Sequence, residues 1–174
     1  MACRIRPARA GDCGDIIRMM KELGAYEKHS HGTEVTEEAL IKDGFSAETP
    51  FFQSIVAELP EGQHSKEGFT VVGYALYIFS YNSMRGRIIY LEDLYVIPEF
   101  RGKGVGKQLL KEVAKIGQDR QCYQIQFAVL NWNQQAIDFY RAQGAIDLTE
   151  ETGYHIFRFE DTAMTKLAGT EANP

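Results

Sequence analysis

The chain has little of what marks several protein classes. Among 174 residues there are three cysteines, Cys3, Cys13 and Cys122. The count is odd, and no spacing matches a zinc or redox motif, so a disulfide scaffold is excluded. A reduced, cytoplasmic setting is expected. Long apolar runs are missing. The longest, Val71 to Phe79, is far too short to cross a bilayer. The start, "MACRIRPARAGDC", lacks the apolar stretch of a signal peptide. Positive charge is also in deficit. A formal net charge of −5 argues against nucleic acid or an anionic membrane as partner, and permits a cationic ligand. His29 and His31 sit in a polar loop without a third convergent ligand, so no metal is expected.

What is present reads as one ordinary domain over residues 1–161, with a weakly ordered tail over 162–174. "CRIRPA" (3–8) alternates like a short strand. A helix is predicted from Asp12 as N-cap, with Ile16, Met20 and Leu23 on one face. A second starts near Thr36 and ends at Gly44. Residues 51–59, 69–81 and 87–97 read as three strands, with a turn at 82–86 and Pro98 ending the last. Gly104 to Asp119 has helical spacing, and 123–130 reads as a strand. Residues 131–144 form a helix with Asn133 as N-cap and Gly144 at its end. "AIDL" (145–148) and "YHIFRFE" (154–160) read as two final strands. Three consecutive strands followed by strand–helix alternation imply an α/β architecture, a mixed sheet with helices on its faces.

"RGKGVG" carries the strongest chemical signal. Gly102, Gly104 and Gly106 strip side chains from the junction between a strand and a helix. Backbone N–H groups can converge there on an anion, helped by the helix dipole and by Arg101, Lys103 and Lys107. The P-loop pattern fails: Arg101 stands where its first glycine belongs, and Gln108 where Ser or Thr belongs. The dinucleotide fingerprint fails too, because Lys107 takes its last glycine position.

Arg101-Gly102-Lys103-Gly104-Val105-Gly106 resembles the acetyl-CoA pyrophosphate loop of the GNAT acetyltransferase superfamily. "RPARAGDCGDIIRMMKELGAYEK", "VVGYALYIFSY", "YLEDLYV", "WNQQAIDFY" and "GAIDLTEETG" resemble the spermidine/spermine (diamine) acetyltransferases. "TEEALIKDGF" and "AVLNWNQQAIDFY" look closer to the branch of that family associated with thialysine. The resemblance implies a mixed, mostly antiparallel seven-stranded sheet flanked by four helices, acetyl-CoA as co-substrate, a small cationic amine as acceptor and a homodimer.

Acetyl transfer to an amine needs a polarised thioester, a proton acceptor and a donor for the departing thiolate. No covalent enzyme intermediate is required. Glu92 and Asp93 point to opposite faces of a regular strand. Either can be merely solvated or ion-paired. The resemblance makes Glu92 the amine contact and base, and Tyr140 the thiolate's proton donor. On spacing alone, Tyr140 pairs with Ile137 as an ordinary apolar face. The family pattern further implies cofactor contacts from Leu94, Tyr95, Val96, Asn133, Gln134, Gln135 and Ala136, besides Arg101 to Lys107. It implies substrate contacts from Tyr26, Glu27, Glu92, Asp93, Gln126, Phe127, Ala128 and Thr152. Glu27 reads equally as a charged helix end. The family often has Glu at the position of Thr152 and Trp at that of Tyr154, and F-Y-H-C where this chain has "FFQS". One acid fewer weakens the case for a long polyamine.

Overall fold

The computed structural model describes residues 3–28, 32–153 and 155–169. His29, His31 and Tyr154 lie outside them. The chain forms two compact units, Met1–Leu130 and Asn131–Pro174.

In the first unit, strands follow chain order across a five-stranded sheet. They are β1 (Arg4–Pro7), β2 (Gln53–Glu58), β3 (Val71–Asn82), β4 (Gly86–Val96) and β5 (Gln124–Gln126). Neighbours are antiparallel from β1 to β4, and β5 joins β4 in parallel. The β3–β4 turn is closed by the Asn82 side chain, which accepts from the N–H groups of Met84 and Arg85. Val71 to Tyr77 are all buried, as expected for a central strand covered on both faces. Helices α1 (Cys13–Tyr26), α2 (Glu37–Ile41) and α3 (Val105–Asp119) belong to this unit. Ile16 and Met19 of α1, and Val105, Leu109 and Val113 of α3, are buried in the core.

Several details differ from the sequence expectation. Asp12 precedes α1 as N-cap, yet its carboxylate does not cap that helix. It takes two bonds from Arg6, at 2.7 and 2.9 Å, and one from the Arg9 N–H. Arg6 also binds Glu58, so the guanidinium ties β1, β2 and the start of α1 together. Gly44 does not end the second helix, which continues as a wider turn over Lys42–Ser46. The glycine is there for space: a Cβ would lie 2.3 Å from the Phe52 ring.

The second unit holds α4 (Gln134–Ala142), α5 (Leu148–Thr152) and α6 (Asp161–Leu167). Asn133 caps α4 as expected, accepting from the Ala136 N–H. The described residues thus carry five strands and six α-helices, against the seven and four expected. "AIDL" forms no strand because Asp147 caps α5, accepting from Thr149 and Glu150. Residues 155–160 keep a strand-like pattern without a ladder. Ile156 and Phe157 are 88% and 89% exposed, so their alternation has no sheet edge to satisfy. A short helix spans Asp161–Leu167.

Gly73 fixes how closely β3 and β4 approach. A Cβ there would stand 2.9 Å from the Tyr95 carbonyl oxygen, which as backbone cannot yield cheaply. Gly73→Ala is expected to cost about 1–3 kcal/mol, read from the urea unfolding midpoint.

Candidate active site

Strand β4 is interrupted where its two acids lie. Leu76 pairs with Asp93, but the next residue, Tyr77, pairs with Leu91. Glu92 is the extra residue of a β-bulge. The bulge reverses the parity of the strand. Beyond it, Tyr95 faces α1, where its hydroxyl donates to Glu22 at 2.9 Å. Asp93, two residues earlier, shares that face. Before the bulge, Ile89 packs on Gly117 of α3, on the other face. Glu92 is left exposed at the switch. The simple alternation expected from sequence therefore fails here, because an inserted residue breaks the two-residue period.

Asp93 is half-buried, and its Oδ2 accepts from the Tyr74 hydroxyl at 2.9 Å. Tyr74 itself is fully buried. Burial raises the Asp93 carboxyl to about 6; the Tyr74 hydrogen bond opposes this, and the charges of Glu92 and Glu27 add to it. Tyr74 is pushed up as well, first by burial and then by Asp93. Glu27 is the C-cap of α1, and Tyr26 is the last residue of that helix. Two carboxylates thus act on Asp93, one of them at the carbonyl end of α1, which is itself negative. Such a place suits a cation.

β5 pairs with β4 only from Ile88 to Tyr90, not over the eight residues expected. Past Tyr90, where β5 ends at Gln126 and the β4 bulge begins, the two strands stop pairing. Among the described residues, Leu94, Tyr95 and Val96 pair only on the β3 side. The Ile97 N–H donates to Val72 on that side. Peptide groups alternate along a strand, so those of Val96 face the open edge. There the Val96 carbonyl accepts from Arg101 Nε at 2.8 Å. The Arg101 guanidinium also lies 5.4 Å from the Tyr26 ring centre and 5.1 Å from that of Tyr95. Burial, then Glu22, pushes the Tyr95 phenol up to about 12.

The glycine turn follows. Gly102 and Gly104 have φ of 70° and 81°, a region that glycine enters without strain. A Cβ at either would meet no atom within 4 Å, so the space beside each is open. Gly104 is the N-cap of α3, and no side chain caps that helix. Its first N–H groups are therefore available to an anion. Lys103 Nζ rests over the Phe100 ring at 4.8 Å, and Lys107 is exposed in the first turn of α3. These residues offer backbone donors and positive charge to an anion.

Gln126 ends β5 opposite Tyr90, and Phe127 and Ala128 follow it outside any strand. The second unit carries Asn133, Gln134, Gln135 and Ala136 at the start of α4, and Tyr140 one turn later. Tyr140 is half-buried, edge-on to Phe139 at 5.0 Å. Thr152 ends α5, and its hydroxyl donates to the Leu148 carbonyl. Sequence reasoning passed over Tyr74 and Glu22. Inside "VVGYAL" and "MMKELG" they look like ordinary core and helix-surface residues.

The raised Asp93 carboxyl has a thermodynamic consequence. Folding favours its protonated form, so its contribution is complete below about pH 4 and is lost as pH rises through about 6. Asp93→Asn removes that loss. The variant is expected to be about 1–3 kcal/mol more stable than the parent at pH 7–8, with the gap closing towards pH 4. Denaturant melts across this range check it.

The model of the acetyltransferase (GNAT) family matches residues 17–145. A cattle protein named thialysine N-epsilon-acetyltransferase is 52% identical over 95% of this chain and 96% of its own length. A human spermidine/spermine N(1)-acetyltransferase-like protein 1 is 40% identical over 97% of this chain and 24% of its own. Among solved structures, an integron cassette protein of V. cholerae superposes with a TM-score of 0.71 at 25% identity, covering 97% of this chain and 98% of that one. An aminoglycoside N-acetyltransferase in complex with CoA superposes at 0.66 with 20% identity, over 90% and 93%. A strand that splits from its neighbour beside an anion-ready glycine turn, joined to these likenesses, makes the chain a member of the GNAT acetyltransferase family.

Proposed function

We propose that the protein transfers the acetyl group of acetyl-CoA to the side-chain amine of thialysine or a similar lysine-like compound. The observation that carries this is 52% identity, over almost the full length of both chains, to a thialysine N-epsilon-acetyltransferase. The site residues agree with it in kind. Gly102 to Lys107 offer backbone donors and charge to the pyrophosphate, and the unpaired edge of β4 at Leu94 to Val96 offers backbone to the arm that carries the thioester. Glu27, Glu92 and Asp93 attract an ammonium and relieve it of a proton. Family likeness assigns Tyr140 the proton for the departing thiolate, and assigns Asn133 to Ala136 further cofactor contacts. Family likeness assigns Gln126, Phe127, Ala128, Tyr26 and Thr152 to the acceptor. Thr152, where relatives often have an acid, favours an acceptor with fewer cationic groups than a long polyamine.

The test is thiol release from acetyl-CoA with thialysine, lysine, putrescine, spermidine and spermine as acceptors. Thialysine is expected to give the highest kcat/KM. Preference for spermidine or spermine would make the protein a polyamine acetyltransferase. Acetyl-CoA binding without thiol release by any acceptor would make it a binding domain. Tyr140→Phe is expected to lower kcat by about 10²-fold or more with little change in KM for acetyl-CoA. Gly104→Ala forces an alanine to φ near 81°, at about 1–2 kcal/mol of strain, and is expected to raise KM for acetyl-CoA.

A further inference from the structure

The two acids at the bulge stand in different surroundings. Glu92 is exposed and is the residue the ladder leaves out. Asp93 is held from below by Tyr74, whose fully buried hydroxyl donates to Oδ2. Phenylalanine would fill the same space in β3. A hydroxyl buried there is costly unless it has a partner, and the partner it has is Asp93. The hydrogen bond takes one carboxylate oxygen and leaves Oδ1 for a proton. A proton acceptor works best when its position is fixed and its affinity lies near working pH. An exposed carboxylate on a bulge is not held in place; the Tyr74–Asp93 pair is held, and burial raises its carboxyl towards working pH.

We propose that Asp93 takes the proton that the acceptor amine gives up, that Tyr74 is the positioning residue holding its carboxylate for this transfer, and that Glu92 serves to attract the ammonium. The proposal rests on the acetyl-transfer function above and moves the base from Glu92 to its neighbour. In the step, an N–H bond of the ammonium breaks and the proton joins Asp93 Oδ1. The electron pair stays on nitrogen, which becomes the nucleophile. Asp93 returns the proton to water between turnovers. The groups that bear on Asp93 are Tyr74 from β3, Glu92 from its own strand and Glu27 from the end of α1. The two acids and burial raise its proton affinity, and Tyr74 lowers it.

The experiment follows kcat/KM for thialysine from pH 5 to 9, at saturating acetyl-CoA, in the parent enzyme and in Tyr74→Phe, Asp93→Asn and Glu92→Gln. The parent is expected to lose activity on the acid side near pH 6. Tyr74→Phe removes a bond that favours the carboxylate, so its acid limb is expected to move to higher pH. Its kcat is expected to fall by about 3–10-fold, with an unchanged KM for acetyl-CoA showing that it folds. Asp93→Asn is expected to abolish the limb and lower kcat by about 10²-fold or more. Glu92→Gln is expected to raise KM for the amine and keep the limb. A limb unmoved in Tyr74→Phe, or abolished in Glu92→Gln, overturns the proposal. Carboxyl carbon NMR of Asp93 gives a second readout without turnover: its titration should move upward in Tyr74→Phe, and an unmoved titration also overturns it. Thiol release by the parent enzyme is the control for the underlying function. Without it the proton role falls together with that function; with it, an unmoved limb removes the proton role alone.

Discussion

One inserted residue organises this molecule. If β4 ran regularly past Glu92, Asp93 and Leu91 would share a face, and one of them would be wrongly placed. The bulge lets Leu91 pair opposite Tyr77 while Asp93 turns to the α1 side. Pairing with β5 stops just before it, at Tyr90, so among the described residues the strand beyond is paired on the β3 side alone. A half-buried carboxylate and a stretch of backbone paired on one side only thus lie at one local irregularity. The wider core supports it. Gly73 sets the β3–β4 spacing, and the Arg6 cluster anchors β1 and β2 to the helix that carries Glu22 and Glu27.

The site is electrically polar along one strand. At the bulge, three carboxylates and the carbonyl end of α1 make a place for a cation. A few residues on, the amide end of α3 and its lysines make a place for an anion. Helix dipoles of opposite sense reinforce both. A reaction that joins a cationic amine to an anionic carrier needs this separation, because the two ends would cancel if they overlapped. The net charge of the whole chain, modestly negative, says nothing of it.

The class of fold and the place of the glycine turn were legible from sequence because both rest on local rules. Helical and strand periods, the cap at Asn133, a helix start near Thr36, and glycines before a helix are readable from neighbours along the chain. The bulge was not, since an extra residue is defined by what the opposite strand does. Nor was the role of Tyr74, whose hydroxyl matters only through a residue 19 positions away. Asp12 shows the same limit. It is in the right place for a cap, but Arg6 offers its carboxylate a stronger, charged partner. Residues 155–160 show the converse. Their alternation is a genuine local property, yet a strand exists only where an edge receives it.

The Arg101 side chain gives the open edge of β4 a particular character. An uncovered strand displays donors and acceptors alternately, and that pattern is a template for any other extended chain. With the Val96 carbonyl taken by Arg101, the edge there no longer offers a complete set. It keeps amide hydrogens, which a carbonyl ligand can use, but denies an acceptor to an incoming strand. One guanidinium therefore leaves this edge able to meet a carbonyl group and poorly able to pair with another polypeptide.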